Sequence, residues 1–228
     1  MTHAPRTHLV TGAGSGIGEV VADRLRQRGD RLVLLARSGE RADHLADRFP
    51  GCATVVADLA DAEALLELSG PDALDSLVHA AGVVDLAPVA EVDWPQWRQQ
   101  LDVNLTAPAM LTQAMLPALR AAHGTVVFVN SGAGLSANAR WAGYASSKFG
   151  LRALADALRA EEAEHGVRVT SVYPGRTATP MQQKVHEQEG RAYDAGQWIR
   201  PETVAEAILN VLDLSTDATV SDLTVRPV

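Results

Sequence analysis

Apolar segments and amphipathic segments alternate along the 228-residue chain. The segments Arg31–Ala36 and Thr125–Val129 are almost entirely apolar, as expected for strands buried on both faces of a sheet. Between such runs, segments such as residues 18–28 repeat apolar positions at helical spacing, with charged residues on the other side. The pattern therefore predicts strands that alternate regularly with helices.

The boundaries of these segments predict the fold class. We expect strands at residues 8–10, 31–36, 53–57, 77–80, 125–129, 167–172 and 223–225. Helices are expected at 18–28, 40–49, 61–68, 94–121, 144–165 and 201–212, with an interruption near Asn104 and Pro108. Strands that alternate with helices imply βαβ units and a parallel sheet. Because no flexible linker or repeat divides the chain, residues 1–228 are predicted to form a single α/β domain, a doubly wound parallel sheet of the Rossmann fold.

Composition narrows the classes of partner. The formal net charge is -8 and the sequence pI about 5.3, which argues against a nucleic-acid-binding surface or a polybasic membrane patch. A single cysteine, Cys52, rules out an internal disulfide framework, and the polar N-terminus does not resemble a signal peptide. Both observations predict a cytoplasmic protein. We expect no metal site, because no pair of histidines or cysteines has the spacing of metal ligands.

A glycine-rich loop follows the first predicted strand. Gly12, Gly16 and Gly18 do not fit the dinucleotide fingerprint G-x-G-x-x-G, but they fit the variant T-G-x-x-x-G-x-G. Glycines allow a sharp turn and a close approach of backbone to ligand, and the N-terminus of the following helix favours a pyrophosphate. We therefore predict that this loop, with Ser15 and Ile17 between its glycines, binds a dinucleotide; the alternative is a tight turn without a ligand.

A second set of residues completes a resemblance to a known family. Tyr144 and Lys148 have i, i+4 spacing on a predicted helix, so they share one face, and Ser131 precedes them at the end of the fifth strand. With Asn104 and the glycine loop, they resemble the Asn–Ser–Tyr–Lys tetrad of the short-chain dehydrogenase/reductase family. The resemblance extends over the whole chain and implies an oxidoreductase with a nicotinamide cofactor.

The resemblance implies a role for each member of the tetrad. Tyr144 would exchange a proton with the substrate oxygen, and a nearby ammonium on Lys148 would favour the phenolate and lower the tyrosine pKa. Lys148 would also bind the nicotinamide ribose, Ser131 would hold the substrate oxygen, and Asn104 would hold a water of a proton relay. The expected activity is that of a carbonyl reductase or alcohol dehydrogenase.

The second predicted strand indicates which cofactor is bound. An NAD site usually has an acidic residue after this strand, whereas Ala36 and Arg37 stand here. A guanidinium can bind a 2′-phosphate with paired hydrogen bonds, so we predict NADP(H), with Ser38 as a second donor and NAD(H) as the alternative. Ser15 stands where family members that use NADP can carry a basic residue. By resemblance, Asp58 and Leu59 would contact the adenine.

Two further segments match the family. His79-Ala80-Ala81-Gly82 takes the place of Asn-Asn-Ala-Gly, and the backbone of Ala81 and Gly82 would lie against the adenosine ribose. The segment after the sixth strand resembles the family's P-G-x-x-x-T motif, which contacts the nicotinamide carboxamide. Its residues are Pro174, Gly175, Thr177 and Thr179.

The substrate side of the site is less constrained by the sequence. Residues 180–198 are mostly polar and stand where the family has a mobile lid, and a plain surface loop is the alternative. Leu135, Trp141 and Met181 would line an apolar pocket for a ketone, aldehyde or secondary alcohol. Gln182, Gln183, Lys184 and His186 would either contact polar groups of a substrate or lie in solvent.

Two functions and one assembly state follow as expectations. The first function is NADPH-dependent carbonyl reduction or its reverse, and the second is an NAD(P)-binding sensor or scaffold without turnover. A sugar-nucleotide epimerase would need a larger C-terminal part than the chain has after Tyr144. Alanine- and leucine-rich faces on the helices around 104–121 and 144–164 predict a homodimer or homotetramer.

Overall fold

The computed structural model describes residues 4–228 and contains seven strands, which lie where the hydrophobic pattern predicts them. They are β1 (Thr7–Thr11), β2 (Arg31–Ala36), β3 (Ala53–Val56), β4 (Ser76–His79), β5 (Thr125–Val129), β6 (Arg168–Pro174) and β7 (Asp222–Val225). All seven belong to one sheet in the order β3-β2-β1-β4-β5-β6-β7.

Every pairing in the sheet is parallel. Val10 in β1 stands opposite Leu34 in β2 on one side and opposite Val78 in β4 on the other. Successive strands therefore run outward from β1 in one direction and from β4 in the other, so the order reverses between these two strands. Ligands of doubly wound sheets bind at such a reversal, beyond the carboxyl ends of the strands. The predicted Rossmann fold is confirmed.

Eight α-helices connect the strands within residues 4–228. They are α1 (Gly16–Gln27), α2 (Gly39–Arg48), α3 (Ala62–Leu66), α4 (Trp94–Leu101), α5 (Ala107–Ala122), α6 (Ala142–Glu162), α7 (Pro180–Glu189) and α8 (Pro201–Leu212). None of the helices in this part of the chain is long and apolar enough to cross a membrane.

The core consists of two apolar layers, one on each face of the sheet. Alternate residues of a strand point to opposite faces, so Val10 packs in one layer and Leu9 in the other. The first layer contains buried residues of α1, α2 and α8, and the second contains buried residues of α3, α5 and α6. This double cover explains why the strand sequences are apolar at consecutive positions.

The predicted interruption near Asn104 is a single π-helical turn, Asp102–Thr106, between α4 and α5. Asn104 is buried in that turn, where the wider helical spacing turns its side chain toward the loop after β4. Pro108 stands in the first turn of α5, directly after the π-helical turn, and the helical backbone continues through both.

Residues 180–198 are not the plain surface loop that was the alternative to a lid, because they contain a helix. Pro180–Glu189 forms α7, which begins after Thr179, whose side chain accepts a hydrogen bond from the Gln182 amide at 3.3 Å. Gly190 ends the helix in a left-handed conformation with φ 67. The cap, the proline at the first helical position and the glycine after the last are sequence features typical of a helix, and they explain why this polar segment is helical.

Candidate functional site

A cavity of about 650 Å³ opens at the carboxyl ends of the central strands, where the sheet order reverses. It runs from Gly12 after β1, past Ala80 after β4 and Asn130 after β5, to Gly175 after β6. It brings together residues that are far apart in sequence but were predicted to act together. Those residues are Gly12, Ser15, Gly16, Ile17, Ala81, Gly82, Ser131, Tyr144, Lys148, Pro174, Gly175, Thr177 and Thr179.

The glycine loop is packed too closely to accept side chains at two of its glycines. A β-carbon on Gly12 would stand 2.6 Å from the Ala81 amide nitrogen, and one on Gly18 would stand 2.5 Å from the Gly12 carbonyl oxygen. Gly16 has φ +59, and a β-carbon there would stand 3.0 Å from Cγ2 of Thr179. These glycines let the loop fold into a tight cradle at the N-terminus of α1, whose first N–H groups suit a pyrophosphate.

Ser15 stands at the N-cap position of α1, but its hydroxyl makes no hydrogen bond to the helix. The hydroxyl therefore adds a free donor to the N–H groups at the start of the helix. Together with the cradle, this donor set fits the diphosphate of a nicotinamide dinucleotide.

The residues predicted to choose the cofactor lie beyond the cavity, at the ends of β2 and β3. Arg37 is exposed, and none of the described residues forms a hydrogen bond or an ion pair with its guanidinium. Ser38 accepts a hydrogen bond from the Arg41 amide at 3.3 Å and caps α2. Asp58 accepts one from the Ala60 amide at 2.9 Å, and Leu59 is half-buried beside it. Arg37 is thus free to bind a phosphate.

Ser131 and Tyr144 form the polar centre of the cavity. Ser131 follows β5, and its Oγ accepts a hydrogen bond from the Ala133 amide at 3.1 Å. Tyr144, in the first turn of α6, is buried and lines the same cavity as Ser131. Burial raises the pKa of Tyr144, and the Ser131 hydroxyl opposes that rise. The two hydroxyl-bearing side chains therefore lie on one wall of the cavity.

Lys148 lies one turn further along α6, as its spacing from Tyr144 predicts. Its Nζ donates to the Val129 carbonyl oxygen at 3.0 Å and stands 5.8 Å from the centre of the Tyr144 ring. Burial lowers its pKa to about 8. The expected lowering of the Tyr144 pKa by this ammonium is not found, because burial of the phenol dominates and raises that pKa.

Both polar atoms of the Asn104 side chain form hydrogen bonds with neighbouring elements. Its Oδ1 accepts from the Val83 amide at 2.8 Å, and its Nδ2 donates to the Val83 carbonyl at 2.9 Å and to Ser147 Oγ at 3.0 Å. It therefore joins the loop after β4 to the residue that precedes Lys148. A β-carbon on Gly82 would stand 3.2 Å from its Oδ1 and 3.9 Å from Nζ of Lys148, so Gly82 leaves open the space between these groups.

His79 takes the position of the family's first asparagine and is completely enclosed. Its ring stacks on Phe128 with centroids 5.0 Å apart, and Nε2 lies 2.9 Å from Thr112 Oγ1. Burial first, and then the charge of Lys148, lower its pKa to about 3. The imidazole is therefore neutral under the site and steadies the centre of the sheet.

The apolar side of the cavity agrees in part with the sequence expectation. Trp141 and Met181 line it, but Leu135 does not, because the turn after Ser131 presents Ala133 instead. Val84 and Val185 also line the cavity and, with Leu86, belong to the apolar cluster around Tyr144; none of the three was predicted from the sequence. The sequence could have indicated Val84, because it stands two residues after Gly82 of the matched motif. Val185 faces the cavity only because α7 is a helix.

Helix α7 is tied to both walls of the cavity. Lys184 forms an ion pair with Asp85 at 2.7 Å, and Gln188 donates to the same carboxylate at 3.0 Å. At its C-terminal end, Glu189 forms a bidentate salt bridge with Arg176, with hydrogen bonds of 2.7 and 2.9 Å. This contact holds the pKa of Glu189 below its usual value. The segment is therefore an anchored wall of the cavity in this structure.

The polar residues considered for substrate contact divide between the two faces of α7. Gln182 and His186 are buried and lie 2.9 Å apart through Gln182 Nε2 and His186 Nδ1. The His186 ring also packs against Tyr193 and Trp198. Gln183 and Lys184 are exposed, although Lys184 reaches the rim of the cavity.

Comparisons with known proteins agree with this arrangement. Residues 6–190 match the sequence profile described as short chain dehydrogenase. An uncharacterized oxidoreductase of Staphylococcus epidermidis is 29% identical over 231 residues, with 96% of each chain covered. An alcohol dehydrogenase of Thermococcus sibiricus complexed with 5-hydroxy-NADP superposes with TM-score 0.85 at 25% identity, covering 99% of this chain and 97% of that one. A protein of Escherichia coli CFT073, described as a short chain dehydrogenase complexed with NADPH, superposes with TM-score 0.86 at 29% identity, covering 96% and 95%.

Proposed function

The chain belongs to the short-chain dehydrogenase family, and from this premise we propose that it is an NADP(H)-dependent carbonyl reductase or, in reverse, an alcohol dehydrogenase. The observation that carries the proposal is that Ser131, Tyr144 and Lys148 line the same cavity as the glycine loop. An oxidoreductase needs both parts within the length of one dinucleotide.

The binding residues of the proposal follow from the cradle described above. Gly12, Gly16 and Gly18, with Ser15 and Ile17, would hold the pyrophosphate at the N-terminus of α1. Arg37 would bind the 2′-phosphate and Ser38 would assist it, while Asp58 and Leu59 would contact the adenine. The other contacts with the adenosine ribose and nicotinamide are assigned to Ala81, Gly82, Asn104, Pro174, Gly175, Thr177 and Thr179.

The bound nicotinamide would supply or accept the hydride. Ser131 would donate a hydrogen bond to the carbonyl oxygen and hold it beside Tyr144. As negative charge develops on that oxygen, Tyr144 would transfer its phenolic proton to it, so the products are an alcohol and a phenolate. Because burial raises the pKa of Tyr144, the phenol carries this proton at neutral pH, which suits a proton donor.

Lys148 would act next to Tyr144 in this scheme. With a pKa of about 8, its amine is mostly protonated at neutral pH, and its charge would stabilise the phenolate that remains after proton transfer. Asn104 holds the loop after β4 against the turn of α6 that carries Ser147, so it would act chiefly as a positioning residue, with a relay water as a further proposed role. The apolar cluster around Tyr144 suits a small carbonyl compound.

Calorimetric titration with NADPH and with NADH tests the first part of the proposal. NADPH is expected to bind at least tenfold more tightly than NADH, since Ala36 and Arg37 stand at the end of β2 in place of an acidic residue. Equal binding of NADH would refute the role of Arg37. Binding of neither dinucleotide would contradict the enzyme function itself.

Substitution of Tyr144 tests the chemical step and separates an enzyme from a binding sensor. Tyr144→Phe is expected to lower kcat by about 10²- to 10⁴-fold while NADPH binding stays within about threefold of the wild type. Tyr193→Phe, whose ring lies against His186 outside the cavity wall, is the matched control and is expected to retain kcat. A protein that binds NADPH yet reduces no carbonyl compound before or after the change would be a sensor.

A further inference from the structure

The wall of the cavity carries a charge opposite to that of the protein. Four basic side chains line it, and no aspartate or glutamate within residues 4–228 does so. The basic residues are Lys148, Arg176, Lys184 and Arg226. In a chain with a formal net charge of -8, this separation creates a local positive field that favours an anionic ligand.

Three of these four side chains have partners that use or neutralise their charge. Lys148 donates to the Val129 carbonyl at 3.0 Å, Lys184 pairs with Asp85 at 2.7 Å, and Arg176 pairs with Glu189 at 2.7 Å. For Arg226, no hydrogen bond or ion pair is formed with any residue between 4 and 228. Its guanidinium is therefore the cation of the cavity wall that is available to a ligand.

The fold places Arg226 beside Ser131 in a defined way. In the sheet, Val225 stands opposite Pro174, and the Gly175 amide donates to the Val225 carbonyl at 2.7 Å, so the end of β7 is joined to the loop after β6. A β-carbon on Gly132 would stand 3.0 Å from Nη1 of Arg226. The guanidinium thus passes over a glycine that directly follows Ser131 in the chain.

We propose that Arg226 binds a carboxylate of the substrate, so that the substrate is a short oxo acid or, in the reverse direction, the corresponding hydroxy acid. This rests on the proposed function, because it takes Ser131 as the residue that holds the reacting oxygen. A substrate whose carbonyl lies at Ser131 would place a carboxylate a few bonds away near Gly132 and Arg226.

The chemistry of the guanidinium favours a carboxylate. Its planar fork can donate two parallel hydrogen bonds to the two carboxylate oxygens, and such charge-assisted pairs are shorter and stronger than neutral ones. A methyl ester of the same acid keeps the shape but loses the charge. The difference between acid and ester therefore isolates the contribution of Arg226.

The experiment compares matched acids and esters in NADPH oxidation. The probes are pyruvate with methyl pyruvate and acetoacetate with methyl acetoacetate. The wild type is expected to use at least one acid with kcat/KM at least tenfold above that of its ester. Arg226→Gln is expected to lower kcat/KM for the acid by about 10- to 100-fold, mostly through KM, and for the ester by less than threefold.

Two variants control for charge and for folding. Arg226→Lys keeps the charge without the fork and is expected to recover part of the preference for the acid. Arg200→Gln removes a positive charge at the start of α8, outside the cavity wall, and is expected to leave the acid-to-ester ratio unchanged. An unchanged dissociation constant for NADPH in Arg226→Gln would show that the site still folds.

A binding measurement separates failure of this inference from failure of the proposed function. The NADPH-loaded Tyr144→Phe protein is titrated with the same acids and esters, with and without Arg226→Gln. If acid binding to this protein is lost with Arg226 and the wild type reduces none of these compounds, the result would support the carboxylate site and contradict the reductase. Turnover with equal use of acid and ester, or with equal loss of both in Arg226→Gln, would refute the site and retain the reductase. No binding of any of these acids would also refute it.

Discussion

The α-carbon of Gly12 lies against the backbone of Ala81, so that a β-carbon on Gly12 would stand only 2.6 Å from the Ala81 amide nitrogen. Gly12 has φ +72, and the Ala81 amide donates to Thr11 Oγ1 at 3.1 Å. The ends of β1 and β4 are therefore joined at the point where the sheet order reverses. This contact shapes the cradle for the dinucleotide.

The contact predicts a selective effect of alanine in the glycine loop. Gly12→Ala is expected to lower the free energy of unfolding by about 1–3 kcal/mol, because it adds a backbone clash at a left-handed position. NADPH affinity is expected to fall at least tenfold with it. Gly14→Ala, with nothing within 4 Å of its added carbon, is the control and is expected to stay within about 0.5 kcal/mol. Urea unfolding and NADPH titration measure both effects, and equal behaviour of the two variants would contradict the cradle.

Substitution of Arg37 is expected to change the preference for NADPH over NADH without changing the fold. Arg37→Gln is expected to weaken NADPH binding by about 10- to 100-fold, since one charge-assisted contact to the 2′-phosphate is lost. NADH binding should change by less than twofold. Arg31→Gln, at the opposite end of β2, is the control that removes the same charge. Titration of each variant with both dinucleotides is the measurement, and a parallel loss for NADPH and NADH would contradict a phosphate contact.

His79 predicts a dependence of stability on pH. Its folded pKa of about 3 lies below the ordinary value of 6.5, so below pH 6.5 the unfolded chain binds a proton that the folded protein excludes. Stability is therefore expected to fall as pH decreases from 6.5 toward 3, with a contribution of about 1 kcal/mol per pH unit from this residue. His8, whose pKa is also lowered by burial, adds to the same trend.

His79→Asn isolates that contribution, because asparagine is the family residue at this position and does not titrate. Urea unfolding of wild type and variant at pH 7 and pH 5 gives the two slopes of stability against pH. The variant is expected to lose less stability between these values. Identical slopes would mean that His79 is not the titrating group.

The ion pair at the end of α7 predicts an effect on substrate binding. Glu189→Gln replaces the bidentate salt bridge with Arg176 by an uncharged hydrogen bond. This change is expected to loosen helix α7, which carries Met181 and Val185 into the cavity. We expect KM to rise about three- to tenfold with little change in kcat. Glu187→Gln, on the exposed face of the same helix, should leave KM unchanged, and an equal rise in both variants would point to a general loss of helix stability.

The assembly state remains a proposal with its own test. Trp94 on α4 and Phe149 on α6 are large apolar side chains with exposures of 67% and 41%. We propose that these side chains are covered by a second copy of the chain, so that the protein is a homodimer or homotetramer at micromolar concentration. Phe149→Glu should shift sedimentation toward the monomer, whereas Val56→Glu at the exposed edge strand should not. A monomeric wild type would contradict the proposal.

The amino-acid sequence alone predicted the fold and the order of its elements. Strands buried on both faces leave uninterrupted apolar runs, as in β2 and β5, and helices leave a different spacing, so local patterns identify both. The glycine loop was equally visible, because Gly12 and Gly18 occupy positions where a β-carbon has no room. The spacing of Tyr144 and Lys148 needed only the geometry of one helix.

Properties that depend on contacts between distant segments required the tertiary structure. The direction of the Tyr144 pKa is set by burial, which no local spacing reveals. The open cavity wall at Ala133 in place of Leu135 depends on how one turn packs. The approach of Arg226 to Gly132 depends on the pairing of β6 with β7, two strands that are remote in sequence. Sequence patterns show the periodicity of single elements and the positions where only glycine fits. Burial and charge environment depend on contacts between distant segments, which form only when the strand ends come together around one cavity.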